Sequence, residues 1–464
     1  MIITTTKSQK QVLDQEVANY IFATNTPFHA VEHPQFIKMV QKLRPGYVPP
    51  NRKQVGGDLL ENAFSDVLEQ YSNELKGKTV CLAIDGWSNV HNEPVVCASL
   101  TSEGKVFLVS TVDSQARHTA EHLLEIAEST AEKCQERYGC FVRSLVTDNA
   151  ANMAKMRREL GKKDDKLIAY GCSAHLLNLL AQDLQIQGIK EHVTQIIKYF
   201  RNHHVPGSLY KEGGGKMLVM PADTRWNTMA DSIESYLQNW DILVKICKEH
   251  SDDIDKQIIR KVNDRALRRF AEDYLERLKP IAVALDKLQR EDALISDAVE
   301  VWHKLVGDLQ ECLTEQEDLD KLFKRKQTAL TSSHLLGNLI DPRYQGRSLT
   351  AEEINSVEEY VEENFPQFLP TLMKYRGKTI PFKEMYFKAD VVNALSPLAW
   401  WKHFSDDIKD SMKVPAQLHT AVASSAGIER VFSTFGLVQS KIRNRLGNEK
   451  AAKLVTVFKH FNRK

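Results

Sequence analysis

Little in this chain points to a membrane, a secretory route or a disulfide framework. Its 464 residues hold no window approaching the roughly 18–20 unbroken apolar positions that a membrane helix requires. The N-terminal stretch MIITTTKSQKQVLDQE lacks the apolar core of a secretory signal. Cysteine is sparse. The seven present are odd in number and scattered, as expected of reduced thiols inside a cell. No CxxC pair stands between residue 1 and about residue 75, so no zinc finger of that type is expected there. Neither sign of charge is in excess: 62 Lys and Arg face 61 Asp and Glu, a formal net charge of +1. Any nucleic-acid surface must therefore be a local patch.

What is present is a chain too long for one ordinary core, with the 42% hydrophobic and 27% charged content of a globular protein. Two or three domains are expected. The organising stretch is TVCLAIDGWSN, Thr79 to Asn89. A run of β-formers, Val80 to Ile84, delivers one carboxylate, Asp85, and is expected to turn at once through Gly86.

Residues 1–77 read as helical. Gln11 to Phe22 carries Val12, Val17, Ile21 and Phe22 near helical spacing, and Leu59 to Leu75 carries Leu60, Ala63, Phe64, Val67 and Leu68 on one face. From Lys78 the period changes. Thr79–Ile84, Pro94–Thr101 and Lys105–Val112 read as three strands joined by short turns, hence antiparallel. A helix over Thr119–Tyr138 closes on Gly139 as its C-cap. Phe141 to Asp148 is another apolar strand ending on an acid. A helix from Asn149, a short strand Leu167–Cys172 and a helix Ala174–Leu184 follow. Three antiparallel strands, helix, strand, helix, strand is the order of the ribonuclease-H-like α/β fold, with its mixed sheet. That fold sets the first and fourth strands side by side, so Asp85 and Asp148 would meet. Two carboxylates so placed repel unless a cation or proton intervenes, and Mg2+ or Mn2+ is the usual partner. Taken singly, each acid reads as a strand-end cap; the pair in matching positions favours the metal reading.

Residues 191–395 read as an all-α insertion, with Pro280 interrupting one helix. Ser424–Gly436 reads as a helix whose apolar stripe is Ile428, Val431, Phe432 and Phe435. Glu429 borders that stripe and, alone, reads as a solvated helix residue. Arg225–Trp226 follows the flexible Gly213–Gly215 and reads either as a ligand surface or as a core tryptophan. Lys441, Arg443 and Arg445 read either as phosphate contacts or as a solvated helix end.

Several motifs, in this order, resemble the hAT superfamily of transposases and its domesticated descendants: AIDGWSN, VTDNAANM, GCSAHLLNLL, DTRWNT, LIDPRY, and the C-terminal blocks SPLAWW and SSAGIERVFSTFG. The resemblance implies a ribonuclease-H-like core in two parts, residues 78–190 and 396–464, the latter carrying the dimerisation region. It implies Asp85, Asp148 and Glu429 as an Asp–Asp–Glu triad on two Mg2+ or Mn2+ ions. Hydrolysis at element ends, a hairpin on flanking DNA and strand transfer would follow. It further implies His175 as a polar support, Arg225 and Trp226 at the DNA (the tryptophan stacking on a flipped base), and Lys441, Arg443 and Arg445 on phosphates. Cys172 would be a packed residue, and no zinc is expected. DNA and a homo-oligomer, at least a dimer, are the expected partners, in the nucleus and without a membrane. The Leu454–Val455–Phe458 face of the last helix is the expected seam, and Lys324–Arg325–Lys326 is a weak candidate for nuclear import. Two functions compete: a DNA-cleaving transposase core, and a domesticated, non-cleaving dimeric protein with a DNA-associated or regulatory role.

Overall fold

The computed structural model describes residues 6–88, 94–113, 119–164, 166–221, 226–439 and 446–463. The chain divides into two compact units, one formed by Met1–Tyr170 with Thr420–Lys464, the other by Gly171–His419. No helix among the described residues is long and apolar enough to cross a membrane.

The first unit is built on one mixed five-stranded sheet of order β3-β2-β1-β4-β5. The strands are β1 (Thr79–Ser88), β2 (Pro94–Ser102), β3 (Lys105–Asp113), β4 (Phe141–Thr147) and β5 (Ile168–Gly171). A two-residue turn at Glu103–Gly104, both with positive φ (50° and 75°), folds β2 onto β3 with the twist a tight hairpin needs. The pairs β1–β2 and β2–β3 are antiparallel, and β1–β4 is parallel. Nearly every described side chain of β2 is buried, as in a sheet covered on both faces.

β1 runs further than its sequence suggests. Its ladder with β4 stops at Ile84↔Thr147, but its ladder with β2 continues through Asp85↔Cys97 and Gly86↔Val96 to Ser88↔Pro94. Gly86 is therefore a paired strand residue and not a turn. Asp85 lies inside β1, at the first position past the end of β4.

Helices clothe this sheet. Ala120–Tyr138 is capped by Thr119, whose Oγ1 accepts from the His122 N–H at 3.3 Å, and it ends on Gly139 at φ 61°. In Lys7–Ala23 the inward face is Asp14, Ala18, Ile21 and Phe22, whereas Val12 is 61% exposed. Asp14 claims the inward place because it accepts from both Lys10 Nζ and the Tyr47 hydroxyl, at 2.7 and 2.8 Å. The last helix, Asn448–Phe461, buries Ala451, Leu454, Val455 and Val457. It is held on the N-terminal helices by Lys453 Nζ on Glu61 Oε1 (2.7 Å) and by Asn462 Nδ2 on Ala23 O (2.9 Å). Arg463 covers the Phe107 ring of β3 at 4.2 Å. Leu454 and Val455 are thus core residues of their own chain. The expected dimer seam along Leu454–Val455–Phe458 is corrected at Leu454 and Val455, which are occupied from within, while Phe458 is half-buried.

The second unit is helical. Helix Arg265–Leu288 continues through Pro280, which the sequence reading took as an interruption. Burial of Tyr274, Leu278, Ile281, Ala284 and Leu285 on either side offsets the roughly 3 kcal/mol that an internal proline costs. Fully buried Asp341 takes a two-pronged contact from Arg343 (Nε at 3.0 Å, Nη2 at 2.7 Å) and a hydroxyl from Ser296 at 2.8 Å; Arg343 also reaches Asp297 at 2.9 Å. The LIDPRY marker is thus a buried ionic knot of the helical unit. Trp400 and Trp401 sit in an aromatic cluster with Tyr375, Phe382 and Phe404. In the basic run, Arg325 is bidentate to Asp183 and Lys326 pairs with Glu353, so both cations are engaged in folded structure.

Leu454→Ala removes a side chain that is 2% exposed. It is expected to destabilise the protein by about 2–5 kcal/mol in denaturant unfolding while leaving the oligomer mass from light scattering unchanged. Dissociation without loss of stability would restore the seam.

Candidate functional site

Three acids reach one end of the sheet. Because Ile84 of β1 lies opposite Thr147 of β4, the next residues along these parallel strands are Asp85 and Asp148. Glu429 comes from helix Ala426–Val438 near the C-terminus. Burial raises the Asp85 carboxyl from 3.8 to about 7, with the negative charges of Asp148 and Glu429 adding to the effect; the Gly86 N–H, donating to Asp85 Oδ1 at 2.8 Å, opposes it. The three carboxylates therefore share one electrostatic neighbourhood. The adjacent Cys97 thiol is pushed up to about 12 by burial, with Asp85 adding to the rise.

Helix Ala426–Val438 is brought to this edge by packing. Its inward stripe is Ala426, Ile428, Val431, Phe435 and Val438. Trp87, two residues past Asp85, stacks on Phe432 at 4.8 Å and meets Phe435 at 4.9 Å. Gly427 allows the close approach, since a Cβ there would stand 3.0 Å from Val106 Cγ2 of β3. Phe432 is accordingly a half-buried stacking partner at the site and not a core residue.

The loop after β4 is fixed by Arg157 of helix Ala151–Lys163, a residue that sequence reading did not single out. Its guanidinium donates to the Asp148 carbonyl and the Thr147 hydroxyl, and reaches Asn149 Oδ1 at 3.4 Å. Asp148 Oδ1 in turn accepts from the Ala150 N–H at 3.0 Å, tightening the turn. The available sequence signal was an arginine nine residues past the acid, two turns into the following helix.

Three carboxylates are hard oxygen donors, the chemistry Mg2+ and Mn2+ select, and their mutual repulsion is what a cation relieves. Among the described residues, no three His, Cys, Asp or Glu side chains converge closely enough to form a metal cage by themselves.

Residues 50–200 match a domain of unknown function (DUF659), and residues 382–461 match the hAT family C-terminal dimerisation region. Together these two matches support a hAT-family, transposase-type protein. No curated protein matches the chain. The dimerisation region supports homo-oligomerisation of the chain.

The remaining predicted residues are distributed as follows. Cys172 and His175 belong to the helical unit, where buried Cys172 caps helix Ser173–Asp183 by accepting the His175 N–H at 3.4 Å. Trp226 opens helix Trp226–Gln238. Arg225, Lys441, Arg443 and Arg445 lie outside the described residues. One HxxxH spacing that sequence reading overlooked, His29 to His33, has a structural use. The His33 Nδ1 accepts from the Gln35 N–H at 3.2 Å and caps helix Pro34–Leu43.

A folded pKa near 7, above the ordinary aspartate value, means that Asp85 favours the folded state when protonated. That contribution is present below about pH 4 and is lost as pH rises through 7. Asp85→Asn is expected to stabilise the protein at pH 8 by roughly 2–4 kcal/mol, a gain that fades toward pH 4. Urea midpoints across that range check it. A pH-independent difference would contradict the clustering.

Proposed function

We propose that this hAT-family chain is a transposase catalytic core that cleaves DNA phosphodiesters with Asp85, Asp148 and Glu429 as its Asp–Asp–Glu set. The observation that carries the reading is the strand register, which sets Asp85 and Asp148 at adjoining positions just past the Ile84↔Thr147 pair, with the Glu429 charge close enough to act on Asp85. Isolated strand-end caps would be solvated and would not disturb one another. The sheet supports it as well. Three antiparallel strands with a fourth parallel to the first match the ribonuclease-H-like order, and we read the domain as that fold.

Asp85 and Asp148 would hold a divalent cation, with Glu429 completing the carboxylate set. When bound, Mg2+ or Mn2+ would supply the positive charge that polarises a DNA phosphate and activates a water or 3′-hydroxyl. The chain's own part is positional. β1 and β4 set two acids side by side on a rigid sheet. Arg157 and the Ala150 N–H fix the Asp148 turn. The Trp87–Phe432–Phe435 stack fixes the helix that carries Glu429. Near neutral pH Asp85 retains a proton for part of the time, so cation uptake competes with that proton. On this reading the protein acts as a homo-oligomer on DNA in the nucleus.

Manganese titration by calorimetry, with and without duplex DNA, tests the assignment. Affinity is expected to rise from pH 6 to pH 8, and to be lost in Asp85→Asn and Asp148→Asn. Cleavage of a duplex substrate in Mg2+ or Mn2+ should fall roughly 10³-fold in Asp85→Asn, Asp148→Asn and Glu429→Gln. A wild-type chain that neither binds manganese beside DNA nor cleaves would overturn the proposal.

A further inference from the structure

The helical unit carries a second feature that the acidic site does not use. A cleft of about 680 Å³ opens between helix Ile189–Asn202, helix His204–Glu212 and the segment that returns from them. Its charged lining is of one sign, Arg201, Lys211 and Lys216, beside the imidazoles of His203 and His204. No carboxylate lines it among the described residues. The acid at the end of the second helix, Glu212, is engaged by the Ser208 hydroxyl at 2.9 Å. In a chain of net charge +1 such a concentration of positive charge is a local departure from the average.

The cleft is built and not incidental. The returning segment, Gly215 to Val219, is fastened by side chains at Lys216, Leu218 and Val219. The Lys216 N–H donates to Asn239 Oδ1 at 2.8 Å, and Asn239 is itself 1% exposed and bonded to Ser235 O at 2.7 Å. The Tyr210 hydroxyl donates to the Lys216 carbonyl. Arg201 Nη1 donates to the Leu218 carbonyl at 3.1 Å, and the Val219 N–H donates to Ser235 Oγ at 3.0 Å. Gly215 is required for this geometry, because a Cβ there would lie 2.3 Å from the Tyr210 ring. The backbone under Lys216 is thus rigid while the lysine itself is exposed.

We propose that this cleft clamps the sugar–phosphate backbone of duplex DNA. The sign of the lining selects a polyanion, and Arg201 keeps guanidinium donors beyond the one it spends on Leu218. Phe200 and Tyr210 are 2% and 6% exposed, and of the two exposed imidazoles His203 packs against Tyr199 with ring centroids 4.4 Å apart, so the cleft offers no phenyl, phenol or indole face to an unstacked base. A single-strand groove needs such faces; a duplex-backbone contact does not. The choice of DNA among polyanions rests on the transposase reading above.

Anisotropy of a labelled duplex of about 30 base pairs, and of its single strand, from about 50 to 200 mM salt, tests the proposal. The proteins are the wild type, Lys211→Glu/Lys216→Glu, the neutral Lys211→Gln/Lys216→Gln, and a control, Lys248→Glu/Lys256→Glu, that makes the same charge change at exposed sites outside the cleft. Duplex affinity is expected to fall at least about tenfold in the cleft Glu variant, less in the Gln variant and about twofold or less in the control. The salt slope should become shallower by about 2 in the Gln variant, two phosphate contacts having gone. Circular dichroism should be unchanged throughout. Wild-type duplex binding that the cleft variants weaken no more than the control would overturn the clamp and leave the transposase reading standing. A preference for the single strand would also overturn the clamp. No duplex binding at the lowest salt would overturn both.

Discussion

β1 is hydrogen-bonded on both sides, but its two ladders end at different residues. The parallel partner β4 stops at Thr147 opposite Ile84, while the antiparallel partner β2 carries β1 on to Ser88. The overhang is the constraint on which the site depends. It holds Asp85 in a fixed extended backbone while removing the strand neighbour on one side, so the carboxylate is rigid and only half-buried. Asp148 enters the space that β4 leaves. Trp87, further along the overhang, supplies the aromatic surface on which the helix bearing Glu429 docks. A shorter β1 would lose both Asp85's rigidity and the docking surface.

Bringing like charges together costs free energy, and the structure shows where the cost is carried. Burial, with the charges of Asp148 and Glu429 adding to it, raises the Asp85 carboxyl to about 7, and the acids do not separate. They cannot separate, because each is anchored by elements whose stability comes from elsewhere: two sheet ladders, an arginine grip on the β4 turn, and an aromatic stack. A carboxyl perturbed by burial and by neighbouring acids in this way is a common mark of a functional site.

Much of this was legible in the sequence, and the failures have particular causes. The succession of strands and helices along the chain followed from the change of hydrophobic period at Lys78, and the end of the helix before β4 from Gly139. The expected turn at Gly86 was wrong, since glycine's turn preference is weak against a continuing ladder. Val12 was misassigned to the core because a hydrogen-bonded aspartate, Asp14, takes the inward position. Pro280 did not break its helix because packing on both sides outweighed the lost bond. The face of the last helix was read correctly as apolar, but periodicity cannot say whether its own chain or a second copy covers it. Arg157 escaped notice because its role is to hold backbone oxygens, which leave no motif.

The interrupted connectivity of the first unit has a consequence for how the protein is made. Asp85 and Asp148 are translated early, but Glu429 and the helix that closes the core follow only after Gly171–His419 has been synthesised. Until then the sheet has no Asn448–Phe461 helix beneath β3, and the acidic cluster lacks its third member. Contacts such as Asn25 to Leu437 and Lys453 to Glu61 join residues far apart along the chain, and closing them carries a large loop-entropy cost late in folding. The three acids are assembled only by a chain that has passed through its entire helical unit, so release of the charge cluster is tied to completion of the fold.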